Sequence, residues 1–169
     1  MDPKPSDLIV KPSLSLMTDL YQMTMSYAYW KAGFADKEAV FHLFFRTLPF
    51  NGGFAIAAGL ESLVDYLESF SFDATDINYL ASLKAPNGTP LFTDEFFDYL
   101  LNMKFTCDLD AVPEGTPVFP YEPLVRVRGS LLQCQILETP LLNLFNFPTL
   151  IATKAARVCI AARGDRVME

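Results

Sequence analysis

Tyr21 stands in "TDLYQ" with Asp19 just before it, and the single histidine, His42, shares the segment "FHLFFR" with Arg46. An aromatic ring near a helix start can stack on a flat ligand, an arginine can grip a carboxylate or phosphate, and an imidazole can move a proton near neutral pH. Each residue also has a plainer role. His42 lies between apolar neighbours with no cysteine or second histidine nearby, which reads as a hydrogen-bonded core histidine. Arg46 closes an apolar strand, where a structural ion pair is the first reading and contact with an anionic ligand the sharper one. Asp19 in a first helical turn is favourable against the helix dipole without any function. Tyr21, taken alone, reads as packing. Gly52 and Gly53, ahead of an apparent helix, raise the idea of a phosphate cradle. However, "LPFNGGFAIAAG" fits neither G-x-x-x-x-G-K-[ST] nor G-x-G-x-x-G, and a tight turn accounts for both glycines. Arg126 and Arg128 alternate out of a strand, either as exposed charges or as a basic binding edge. No spacing of metal ligands occurs.

The elements that must hold these residues are mixed. Residues 1–15 read as an extended lead-in. A helix capped by Ser15 or Thr18 runs to about Lys31, with Leu20, Met23, Tyr27 and Trp30 near one face and Gly33 closing it. Residues 39–46 read as a strand apolar on both sides, hence central. The loop 47–54 leads to an amphipathic helix over 54–70. Asp73 or Thr75 opens a helix through Leu83, and Thr93 caps the next, "DEFFDYLLNM". From 105 to 138 the chain reads as short strands, with Val125 and Val127 alternating against Arg126 and Arg128. A helix follows from 139, where Pro140 suits the first turn and Pro148 is expected to kink or break it. The fold class is therefore α+β.

Composition narrows the classes of function. Apolar residues form 51% and charged residues 20% of the 169, which is a globular balance. The net charge of −7 argues against a general nucleic-acid binder. Residues 1–119 carry 7 Lys/Arg against 16 Asp/Glu, and residues 120–169 carry 6 against 4, so only the last third is mildly basic. No segment is apolar enough for a membrane span, and the N-terminus has no signal-peptide core. Cys107, Cys134 and Cys159 include no C-x-x-C pair, so free thiols in a cytosolic protein are expected. The residues themselves show no self-contained active site.

Several segments together resemble the N-terminal part of nicotinate phosphoribosyltransferases: "LMTDLYQMTMSYAYWKAG", "FHLFFRTLPFNGGFAIAAGLE", "EGTPVFPYEPLVRVRGSLLQCQILETPLLNL" and "TLIATKAARV". The resemblance implies a type II phosphoribosyltransferase: an N-terminal α+β domain over 16–138 with a small β-rich segment. Residues 139–169 would then be a helix leading into an α/β barrel that lies beyond residue 169. It implies an enzyme of NAD salvage that joins nicotinate to 5-phosphoribosyl 1-pyrophosphate, coupled to ATP hydrolysis with Mg2+. The family's tyrosine of T-D-x-Y, here Tyr21, stacks on the pyridine ring across a homodimer. Asp19 takes a supporting place and Arg46 a candidate contact. The family's phosphorylated histidine, nicotinate-holding arginine and phosphoribosyl loop lie in the barrel, and His42 does not match that histidine. No catalytic residue and no metal ligand is therefore assigned to this chain, which is expected to bind no cofactor and to be inactive alone. A non-catalytic dimerisation module is the alternative. Leu20 and Gln22 around the tyrosine favour the nicotinate branch over nicotinamide or quinolinate relatives.

Overall fold

The computed structural model describes residues 13–168, so all but the last three residues of the lead-in lie outside the described residues. Ser13 and Ser15 are buried; Ser13 Oγ donates to the Ser71 carbonyl at 2.7 Å and Ser15 Oγ to Asp76 Oδ2 at 2.8 Å. In chain order the elements are α1 (Leu20–Lys31), β1 (Glu38–Leu43), β2 (Ala55–Ile56), α2 (Leu60–Glu68), α3 (Ala74–Ser82) and α4 (Asp94–Asn102). There follow β3 (Asp108–Ala111), β4 (Pro117–Val118), β5 (Val125–Ser130), α5 (Leu131–Ile136) and α6 (Glu138–Ala162). The strands form two antiparallel sheets, one ordered β1-β5-β3 and the other β2-β4. The α+β expectation holds.

Local chemistry explains several boundaries. The carboxylate of Asp73 accepts the Thr75 and Asp76 N–H groups, and Asp76 returns a carboxylate to the Asp73 N–H, so α3 starts on a reciprocal cap. Gly33, at φ +73°, turns the chain off α1. Its N–H reaches the Trp30 carbonyl at 3.0 Å. The cap of α1 is Asp19, not Ser15 or Thr18.

Two apolar cores result. Leu43, Val125 and Val127 of the larger sheet pack with Leu63 and Leu67 of α2 and with Leu141 and Phe145 of α6. Met23, with Tyr27 and Trp30, packs against Leu80 of α3 and Phe92, Phe96 and Leu100 around α4. Leu20 is not on this face; it is exposed, and the buried polar residues Gln22 and Ser26 take the inner side of α1. Helix α5 lies between the cores, with Cys134 in the first and Leu132 and Ile136 in the second. It replaces the strand expected there, because five of its six residues are buried and only a helix satisfies their backbone groups internally.

Three further expectations are corrected. β1 is an edge strand, not a central one: Leu43 is buried and Phe41 half-buried, whereas Val40 and His42 face out. α2 begins at Leu60, because residues 55–58 are tied as extended chain to α6. Thr153 Oγ1 accepts the Ile56 N–H at 2.8 Å and Thr149 Oγ1 the Ala58 N–H at 3.2 Å. α6 also runs through Pro148 without a break. Proline leaves the carbonyl four residues earlier, Leu144, without a helical donor. That oxygen faces Gly59, where a Cβ would lie only 2.1 Å from it and where φ is +106°. The start of α2 is closed from outside: Glu114 Oε1 accepts the N–H groups of Gly59 at 2.7 Å and Leu60 at 2.6 Å. These bonds hold the Glu114 carboxyl below its ordinary value.

Gly59→Ala is expected to cost roughly 3 kcal/mol or more, since backbone must move. Gly88→Ala, at φ +84° with nothing within 4 Å, should cost only about 1–2 kcal/mol. Urea unfolding of the two variants checks the order. For Glu114 the folded carboxyl sits below the unfolded value of about 4.3, so its stabilisation is present above that pH. It is lost as pH falls through the lower folded value. Thermal unfolding from pH 6 down to pH 3 should therefore show a smaller acid-dependent loss in Glu114→Ala than in the parent chain.

Candidate functional site

Tyr21 lies in the first turn of α1 with its side 47% exposed, so packing alone does not account for its ring. Its hydroxyl donates to Glu138 Oε1, the first residue of α6, at 3.0 Å. Partial desolvation, followed by the hydrogen bond and charge of Glu138, raises the Tyr21 phenol above its ordinary value.

The two helix starts are joined by a second contact. Gln22 is fully buried, and its side-chain oxygen accepts the Asp19 N–H at 3.0 Å and the Thr18 hydroxyl. The hydroxyl of Thr139 lies 2.8 Å from that oxygen and 3.0 Å from Asp19 Oδ2, and it donates its one proton to either. Asp19 thus serves as helix cap and as an acceptor facing α6; the structure shows it as a fastening of the helix rather than as a free carboxylate. The side-chain nitrogen of Gln22 and the hydroxyl of Ser26, one turn on, have no hydrogen-bond partner among the described residues.

Glu138 also lines a cleft of about 710 Å³ between β1 and α6, together with His42, Phe44, Arg46, Leu142 and Asn146. Glu138 thus links Tyr21, through its hydrogen bond, to the cleft that Arg46 also lines. Arg46 lies beyond the end of β1, is exposed, and makes no ion pair among the described residues, so the expected structural pair is not formed. It faces the cleft as a free cation. His42 is exposed on the outer face of β1 opposite Arg126, which overturns its reading as a core histidine; an edge strand with a bare outer face leaves it in solvent. A larger groove of about 840 Å³ between α2, α4 and β3 holds none of the predicted residues.

Other candidates resolve differently. Arg126 and Arg128 stand on the central strand and pair with Asp110 at 2.7 Å and Asp108 at 3.1 Å, so they are not a free basic edge. Gly52 and Gly53 precede β2 rather than a helix, and a Cβ at Gly52 would meet Arg157 Nη1 at 2.5 Å. No helix start is there to cradle phosphate. In the same loop Phe50 and Asn51 both hold left-handed backbone, as does Tyr121, whose N–H bonds the Phe45 carbonyl at 2.9 Å. Reasoning from sequence missed Glu138, because a glutamate opening a helix looks like ordinary dipole compensation.

The comparisons with known proteins extend over most of the chain. A sequence profile of the nicotinate phosphoribosyltransferase (NAPRTase) N-terminal domain matches residues 16–146. The nicotinate phosphoribosyltransferase of Caenorhabditis elegans is 44% identical over 152 residues, which are 89% of this chain and 26% of that protein. That of Bacillus subtilis is 47% identical over 146 residues, 86% of this chain and 29% of that protein. The crystal structure of human nicotinic acid phosphoribosyltransferase superposes with a TM-score of 0.79 at 44% identity, over 89% of this chain and 30% of that one. The chain thus spans less than a third of the length of these relatives.

Ultraviolet difference titration, with Tyr21→Phe as the blank, should place the Tyr21 phenol above an exposed tyrosine. Glu138→Gln should bring it down, because the charge that opposes phenolate formation is removed.

Proposed function

This chain belongs to the nicotinate phosphoribosyltransferase family, and on that premise we propose that it supplies the N-terminal domain of an enzyme of NAD salvage. The complete enzyme joins nicotinate to 5-phosphoribosyl 1-pyrophosphate and releases pyrophosphate, with ATP hydrolysis and Mg2+ supporting the step. The placement of Tyr21 carries this reading. Its ring is exposed, its hydroxyl is held by Glu138, and the neighbouring cleft is lined by Arg46, a cation with no ion pair among the described residues. A flat heterocycle suits such a group: the Tyr21 ring stacks on one face, Arg46 is a candidate contact, and the arginine that holds the nicotinate carboxylate lies in the barrel.

Tyr21 here acts across a homodimer, closing on a site built mainly by the partner's barrel. The pyrophosphate-binding cations and amides that stabilise developing charge are then supplied by the barrel. The 169-residue chain alone does not turn over. Among its described residues no helix is long and apolar enough to cross a membrane, and no cluster of metal-ligating side chains is present. The exposed side of α6, with Phe147, Ile151 and Ile160, supports a second reading, a non-catalytic module that pairs with full-length subunits.

One assay separates these. The purified 169-residue chain, given nicotinate, 5-phosphoribosyl 1-pyrophosphate, ATP and Mg2+, should form no nicotinate mononucleotide; robust turnover would sink the claim that the barrel holds the catalytic groups. In the full-length enzyme Tyr21→Ala should raise KM for nicotinate roughly fivefold, the loss of one stacking contact. A chain that pairs with full-length subunits and whose Tyr21→Ala form leaves KM unchanged would favour the second reading.

A further inference from the structure

Glu138 sits where three separate constraints meet. It opens α6, where the dipole favours a carboxylate and the helix backbone fixes its Cα. Its Oε2 accepts Gln135 Nε2 at 3.1 Å, and Gln135 is only 4% exposed, so this second bond comes from inside the protein. Its Oε1 accepts the Tyr21 hydroxyl at 3.0 Å from a helix 117 residues away in the chain. A carboxylate with one oxygen pinned from within and the other directed at a half-exposed phenol has little freedom of its own. Tyr21, by contrast, has an exposed ring, so its side-chain torsions are not set by packing.

We propose that Glu138 is a positioning residue: the chain Gln135–Glu138–Tyr21 fixes the ring of Tyr21 at its hydroxyl end and leaves its faces free to stack on the substrate. This rests on the assignment of Tyr21 as the stacking residue. The gain is entropic, because a tethered ring loses less freedom when a ligand arrives. The carboxylate has a second consequence. It repels the anionic end of nicotinate, so the substrate's carboxylate is turned from the Tyr21 hydroxyl.

The test is a double-mutant cycle in the full-length enzyme carrying these residues, with Tyr21→Phe, Glu138→Ala and the double variant. Tyr21→Phe keeps the ring and removes the tether. Each single variant should raise KM for nicotinate roughly two- to fourfold, less than the loss of the whole ring in Tyr21→Ala, with KM for 5-phosphoribosyl 1-pyrophosphate and kcat nearly unchanged. The double variant should be no worse than either single. Additive losses, or equal losses in kcat and in both KM values, would overturn the inference. Where Glu138→Ala does not fold, Glu138→Gln keeps the volume and an acceptor and should give a KM between parent and Tyr21→Phe; a Glu138→Gln no better than Tyr21→Phe overturns it too. If Tyr21→Ala itself leaves KM for nicotinate unchanged, the stacking assignment falls. If Tyr21→Ala raises KM and Glu138 variants do not, only the positioning role falls.

Discussion

The side-chain oxygen of Gln22 is the point on which the site depends. It is buried and takes protons from the Asp19 N–H, the Thr18 hydroxyl and, in one arrangement, the Thr139 hydroxyl. Those donors belong to the mouth of α1 and the mouth of α6. The first two donors come from the mouth of α1 itself and satisfy the buried oxygen, and the Thr139 hydroxyl adds a bond that ties the start of α6 to it, worth about 0.5–1.5 kcal/mol. Holding the helix starts together is what brings the Tyr21 hydroxyl within reach of Glu138.

A second seam fixes where α6 lies. Proline ordinarily breaks a helix because it takes away a donor and crowds the carbonyl behind it. Here the freed Leu144 carbonyl meets a glycine, and the hydroxyl oxygens of Thr149 and Thr153 of the same helix accept N–H groups of the extended chain ahead of α2. Pro148, Gly59 and the two threonines are thus one device: a helix that accepts close backbone contact along one side. With α6 set against β2 by this seam and against α1 by Gln22, β1 faces it across the cleft that Arg46 and Glu138 line.

What was legible in the sequence follows from how far apart the causes lie. The C-terminal end of α1 at Lys31, the start of α3 at Asp73, the start of α4 at Thr93 and the alternation of β5 depend on neighbours within a few residues, and they read correctly. The start of α2 did not, because "FAIAA" has helical spacing and becomes extended only through threonines some 90 residues later. α5 failed for a similar reason: a short apolar run does not declare its period, and its burial between two cores decides it. His42 misread because an edge strand and a central strand look alike when both faces are apolar. For the site, the resemblance carried Tyr21, whereas nothing local carried Glu138, whose partner is 117 residues upstream.

The aromatic residues of α1 show why Tyr21 differs from its neighbours. Tyr27 stacks edge-on to Phe92 at 5.5 Å and Trp30 lies 5.4 Å from Phe96, so their rings are spent on the helical core. Tyr21 is on the opposite flank, and among the described residues the polar anchor of its side chain is at the far end of the ring. A tether at the hydroxyl fixes the long axis of the ring without covering either face. Core packing would have fixed the plane by covering both. An aromatic that must be rigid and also available to a flat partner therefore needs a polar tether at its edge, and a carboxylate held from inside the protein is a stiff one. Glu138 is at the start of α6 and Gln135 within α5, so the stiffness of the tether derives from the buried helix pair rather than from the exposed surface around Tyr21.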